Sequence, residues 1–141
     1  RVVIIISKTI KVACLHAHHS NISYIEDAFS KTNIIFLHVV NPILLHELNA
    51  SLNVELIKAK LSKQIDDMLL LHVNAIIITC TTYSGLYNTQ ADIPILKIDS
   101  AFLSFLTKQK KHIHVLFTNP TTVQTLQIVY LQFKKTIKVM L

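Results

Sequence analysis

The segment Thr79-Cys80-Thr81-Thr82-Tyr83-Ser84-Gly85 gathers one thiol and a dense set of hydroxyls directly after the most apolar stretch of the chain. A thiol at the carboxyl end of a strand lies close to backbone N–H groups of the following turn. Those dipoles favour thiolate, the form that acts as base or nucleophile. The surrounding hydroxyls are suited to holding a carboxylate. On this reading Cys80 should alkylate before Cys14, near neutral pH. The competing reading is a buried cysteine in a Thr-rich turn, since free cysteine is among the most buried residues. A second polar turn, Phe117-Thr118-Asn119-Pro120-Thr121-Thr122, directs hydroxyls and helix N–H groups at one spot, the ingredients of an anion site or of ordinary capping. His16-Ala17-His18-His19 has the composition of a metal cluster. No Cys, Asp or Glu follows close by to close the coordination, so no structural metal is expected on these three histidines. Cys14 falls inside a strand and reads as core.

These residues need a scaffold, and the hydrophobic pattern supplies one. Short, β-branched, non-alternating blocks are what a sheet covered on both faces requires. They predict strands at Lys11–His16, Ile34–Val40, Ala75–Thr79, Ile95–Ile98, Ile113–Phe117 and Ile137–Leu141. Helical spacing appears between them. Asn21–Lys31 puts Ile22, Ile25, Ala28 and Phe29 on one face, with Ser20 or Asn21 as N-cap. Val54–Leu71 repeats Ile57, Leu61, Ile65, Met68 and Leu69. Asp99 can cap a helix carrying Phe102, Leu103 and Leu106. Asn119-Pro120 starts another with Val123, Leu126, Tyr130 and Phe133. Strands alternating with helices predict an α/β fold with a parallel sheet flanked by helices and right-handed crossovers. Active residues then gather beyond the carboxyl ends of the strands, at 16–20, 80–85 and 118–122. Val2–Ile6 lies too close to the next strand for a crossover helix.

Composition narrows the classes. The chain has 141 residues, 51% hydrophobic and 16% charged, enough for a packed core and too apolar for disorder. A formal charge of +6 comes from scattered lysines without an arginine-rich stripe, so nucleic acid is not the expected partner. A single glycine, Gly85, excludes the Gly-rich phosphate loops of both common kinds. No apolar block approaches the roughly 20 residues of a membrane-spanning helix. Ser7, Lys8 and Lys11 interrupt the apolar start before a secretory signal develops. Two cysteines outside any C-x-x-C pair are expected as thiols in a reducing, cytoplasmic setting.

Taken together, Lys11–Ala17, Ile35–Leu48, Asn74–Gly85, Ile93–Asp99 and His114–Thr122 resemble segments of the aspartate/glutamate racemase superfamily, closest to its branch of uncertain substrate. His38-Val39-Val40-Asn41-Pro42-Ile43-Leu44-Leu45 is similar to that branch's His-Leu-Val-Asp-Glu-Ser-Leu-Leu. Val73–Thr82 looks like its Ala-Asp-Ala-Val-Leu-Val-Thr-Cys-Ser-Ser strand. Ile93–Asp99 looks like Val-Pro-Val-Leu-Lys-Ile-Asp, and His114–Thr122 like Gly-Val-Leu-Ala-Thr-Leu-Pro-Thr-Thr. Asn74 stands where the branch has aspartate, and His114 where it has glycine.

The resemblance implies two similar α/β lobes with one cysteine each, moving the α-proton of a small amino acid between two faces without cofactor. Residues 1–110 would be the first lobe and 111–141 the start of the second. Cys80 would be the first-lobe catalytic cysteine. Thr81, Thr82, Thr118, Thr121 and Thr122 would hold the substrate carboxylate and amine. The second cysteine would lie beyond Leu141; otherwise the activity has been lost. The expectation is therefore a cofactor-independent isomerase of a small carboxylic acid, with no metal, no membrane and no nucleic acid, compatible with a homodimer. The alternatives are a non-catalytic small-ligand-binding protein of the same fold, or a single-cysteine lyase or isomerase.

Overall fold

The computed structural model describes residues 9–50, 53–108, 114–116 and 138–140. Strands β1 (Ile10–His16), β2 (Ile34–Val40), β3 (Ala75–Ile78) and β4 (Ile95–Lys97) form an all-parallel sheet in the order β2-β1-β3-β4. Helices α1 (Asn21–Ala28), α2 (Ile43–Ala50), α3 (Val54–Leu69), α4 (Thr81–Leu86) and α5 (Ile98–Thr107) fill the connections. A separate pair, β5 (His114–Leu116) and β6 (Lys138–Met140), is also parallel. The expected α/β class with a helix-flanked parallel sheet is the observed one.

Strand order dictates which helix covers which face. From β1 the chain steps outward to β2, then crosses back over β1 to β3 and continues to β4. Right-handed crossovers that run in opposite directions place their helices on opposite faces. Accordingly Ile25 of α1 packs with Val12, Cys14 and Ile77 on one face. On the other, Leu61, Ile65 and Met68 of α3 and Tyr83 and Tyr87 pack with Ala13, Leu15, Ile76 and Ile78. The period-2 alternation of β1 and β3 divides the two cores cleanly. The central strands are the buried ones, while β2 and β4 are edges and only partly covered.

Local chemistry sets the element ends. The Asn53 side chain accepts the Leu56 N–H at 3.0 Å and starts α3, while Glu55 sits in its first turn. With so little glycine, the turn after α3 puts His72 in the left-handed region at φ 53°. Asn74 then joins β3 to β1. Its side chain accepts the Lys11 N–H at 2.9 Å, and its own N–H reaches the Lys11 carbonyl at 2.8 Å.

Several expectations are corrected. Ser20 stands before α1 but makes no side-chain cap bond, and α1 ends at Ala28, which is exposed. Asp99 lies inside the first turn of α5, where Lys97 is the cap residue. Phe102 is 41% exposed; Leu103 and Leu106 carry the buried face of that helix. Val2–Ile6 and the helix expected to start at Asn119-Pro120 and to bury Val123 to Phe133 lie outside the described residues.

Candidate functional site

The sheet order reverses between β1 and β3, so the crevice at their carboxyl ends is where an open α/β sheet binds ligands. Both chemistry-bearing clusters of the described chain sit at this end, on opposite faces of the sheet.

On the α3/α4 face is Cys80, half-buried against the main core and occupying the position before α4 with extended backbone angles. Its carbonyl accepts the Ser84 N–H at 2.9 Å, closing the first turn of that helix. Burial pushes the Cys80 thiol above its ordinary value. The N–H groups of Tyr83 and Thr82 and the Thr82 hydroxyl pull the other way, and the Asp99 carboxylate adds to the upward push. The expected approach of turn N–H groups to the sulfur is present. The expected thiolate bias is not, because desolvation outweighs those dipoles.

The hydroxyls around Cys80 have distinct assignments. Thr81 Oγ1 donates to Asp99 Oδ1 at 2.8 Å, tying α4 to α5. Thr82 is buried beside the thiol. Tyr83, fully buried, donates to the Asn41 carbonyl at 2.6 Å and accepts the Leu45 N–H at 3.0 Å, locking α4 to the start of α2. Ser84 Oγ is buried without a hydrogen-bond partner among the described residues. Cys80, Thr81 and Thr82 thus share one turn. Thr118, Thr121 and Thr122 lie outside the described residues.

On the α1 face the histidines separate. His18 and His19 are exposed, and His18 Nδ1 pairs locally with Ser20 Oγ at 2.8 Å. His16 is fully buried and turned into the fold. Its Nδ1 meets Thr79 Oγ1 at 2.8 Å and its Nε2 meets His38 Nδ1 at 2.8 Å, while His38 Nε2 donates to Glu26 Oε1 at 2.8 Å. Burial, then the neighbouring His38, lowers the His16 pKa to about 4. Cys14 is enclosed beside them, and burial, with the Glu26 charge behind it, pushes its thiol up to about 12. The sequence reading grouped His16 with the wrong histidines. The missed partner is His38, and the signal was a lone polar side chain inside the apolar run Ile34–Val40.

Among the described residues no helix is long and apolar enough to cross a membrane. Compared with known proteins, the chain matches no family model, no curated protein and no solved structure.

Proposed function

We propose that this chain carries the Cys80 half of a cofactor-independent, aspartate/glutamate racemase-like isomerase that moves the α-proton of a small amino or carboxylic acid. The observation that supports the reading best is the setting of Cys80. It is a half-buried thiol at the carboxyl end of β3, beside the sheet's reversal point, touched by the Thr82 and Tyr83 N–H groups. In two-base proton transfer one group starts protonated and the other ionised. A thiol raised by burial suits the protonated partner, the donor that returns a proton to the α-carbon. Thr81 and Thr82, with Thr118, Thr121 and Thr122 from the second polar turn, would hold the substrate carboxylate and spread the enolate-like charge. In this reading residues 1–110 are one lobe and 111–141 open a second. The protein works in the cytoplasm on a small molecule rather than on nucleic acid or membrane, and a homodimer is compatible with it.

One observation favours a non-catalytic small-ligand-binding protein instead: the Thr81 hydroxyl is already engaged by Asp99 and the thiol is biased against ionisation.

Solvent exchange separates the two. Amino acids and small dicarboxylates are incubated with the protein in D2O, from neutral pH to about pH 9, near where a free thiol ionises. A Cys80 thiolate takes the α-proton, the S–H exchanges with solvent, and S–D returns deuterium to the α-carbon. One cysteine suffices for this exchange. Deuterium should enter at least one compound, faster at higher pH, and incorporation should be lost in Cys80→Ser. Binding without any exchange would instead establish the non-catalytic alternative.

A further inference from the structure

Cys14, His16 and His38 are brought together by strand geometry. Cys14 and His16 are two residues apart on β1 and so share a face, and His38 is the β2 register partner of Cys14. One ligand atom from each lies within 4.8 Å of the others. All three are enclosed or nearly so, with Cys14 and His16 at 0% exposure and the His38 side chain at 14%.

The outer partners fix the proton on His38 and leave His16 two arrangements, because a carboxylate only accepts whereas a hydroxyl can do either. A carboxylate only accepts, so Glu26 holds the proton of His38 on Nε2 and leaves Nδ1 bare when the ring is neutral. Thr79 Oγ1 reaches the Leu15 carbonyl at 3.2 Å and accepts from Asn21 Nδ2 at 3.4 Å. When that hydroxyl donates to Leu15, its oxygen accepts from His16 Nδ1–H, and His16 Nε2 is bare as well. Two lone pairs then face each other at 2.8 Å, with the Cys14 sulfur alongside. A cation between them would relieve that repulsion. The alternative turns the Thr79 hydroxyl onto His16 Nδ1 and gives a neutral wire, Thr79 to His16 to His38 to Glu26, which leaves the thiol of Cys14 unused.

We propose that Cys14 Sγ, His16 Nε2 and His38 Nδ1 are a three-ligand site for a borderline-soft divalent metal ion of the Zn2+ type. One thiolate and two imidazoles are the donors such an ion selects. Glu26 on His38 and Thr79 on His16 supply the outer hydrogen bonds that orient metal-bound imidazoles. Zn–N bonds of about 2.0–2.1 Å place tetrahedral ligands about 3.3 Å apart, so the two rings need to open by only about half an ångström. Uptake is balanced by one proton: Cys14 loses its S–H proton to solvent as the S–metal bond forms, and both histidines enter neutral. The fourth position stays open to a water or ligand. The site joins β1, β2 and α1 and is independent of the Cys80 chemistry on the other face.

The test uses the whole chain, stripped by chelator and titrated with Co2+ and then Zn2+. One Co2+ per chain should bind, with a thiolate-to-metal charge-transfer band and the d–d bands of a tetrahedral ion, and Zn2+ should displace it. Cys14→Ser should lose the charge-transfer band. Glu26→Gln, at an exposed position, should weaken binding about tenfold to a hundredfold. The pair His18→Ala and His19→Ala should change nothing. Circular dichroism checks that each variant folds. If Cys14→Ser does not, the wild-type Co2+ spectrum and the Glu26→Gln affinity decide. No stoichiometric uptake by the wild type, uptake without a thiolate band, or uptake lost in the His18/His19 variant would overturn the proposal, the first leaving the neutral wire.

Discussion

Taking the metal-free protein from pH 6.5 down to pH 4 is expected to remove about 3 kcal/mol of unfolding free energy through His16 alone. The ring is buried, and His38, Cys14 and Thr79 face it, with Glu26 behind His38. Folding lowers its pKa from 6.5 to about 4, so in this window the unfolded chain binds a proton that the native state refuses. Stability from this group is therefore complete above pH 6.5 and declines as the pH falls towards 4. Urea unfolding at stepped pH measures the slope, and His16→Gln isolates the contribution from that of the carboxylates. The variant should show a shallower acid loss by about the same 3 kcal/mol. Equal slopes for the two proteins would contradict a buried, neutral His16.

Truncating Ile65 to alanine should cost about 2–5 kcal/mol. Ile65 is fully buried on α3 and packs with Leu61, Met68, Ile76 and Ile78 over the face that also carries Cys80. The loss combines the transfer of its methyl groups with a cavity that a rigid helix–sheet contact cannot close. Denaturant midpoints at constant slope would report it. Lys63→Ala, two residues away on the same helix but exposed and held in an i,i+4 ion pair with Asp67, should change stability by less than about 1 kcal/mol. A small effect at Ile65 would mean that α3 does not form the main cover of the sheet.

Much of the frame was legible because it rests on period and caps. Ile34–Val40 coincides with β2, and the Ile57, Leu61, Ile65, Met68 stripe is the buried face of α3. Helix α2 carries its own start signal: Asn41-Pro42 opens it with the same pattern that Asn119-Pro120 shows, and Asn41 Oδ1 accepts the Ile43 N–H at 3.1 Å. Helix α4 was harder, since Thr, Ser and Gly are poor helix formers and tertiary packing of Tyr83 holds it. For the site, sequence placed Cys80 at a strand end but could not weigh burial against turn dipoles. Nor could it see the His38 contact, which depends on the register between β1 and β2 rather than on spacing along the chain.

The central claim is that Cys80 is the thiol presented to ligand at the carboxyl end of the sheet, while Cys14 is sealed on the opposite face. Iodoacetamide labelling of the folded, metal-free protein, mapped by peptide mass spectrometry across pH, tests it directly. Both thiols are raised by burial, Cys14 up to about 12, so the labelling near neutral pH that the sequence alone predicts gives way to slow labelling that accelerates in alkali. Cys80, the half-buried one, should react first at every pH, and a small amino acid or dicarboxylate should slow it. Cys14 should stay unmodified until the fold opens. Labelling of Cys14 as fast as Cys80, or a Cys80 rate indifferent to every small carboxylate, would contradict the account.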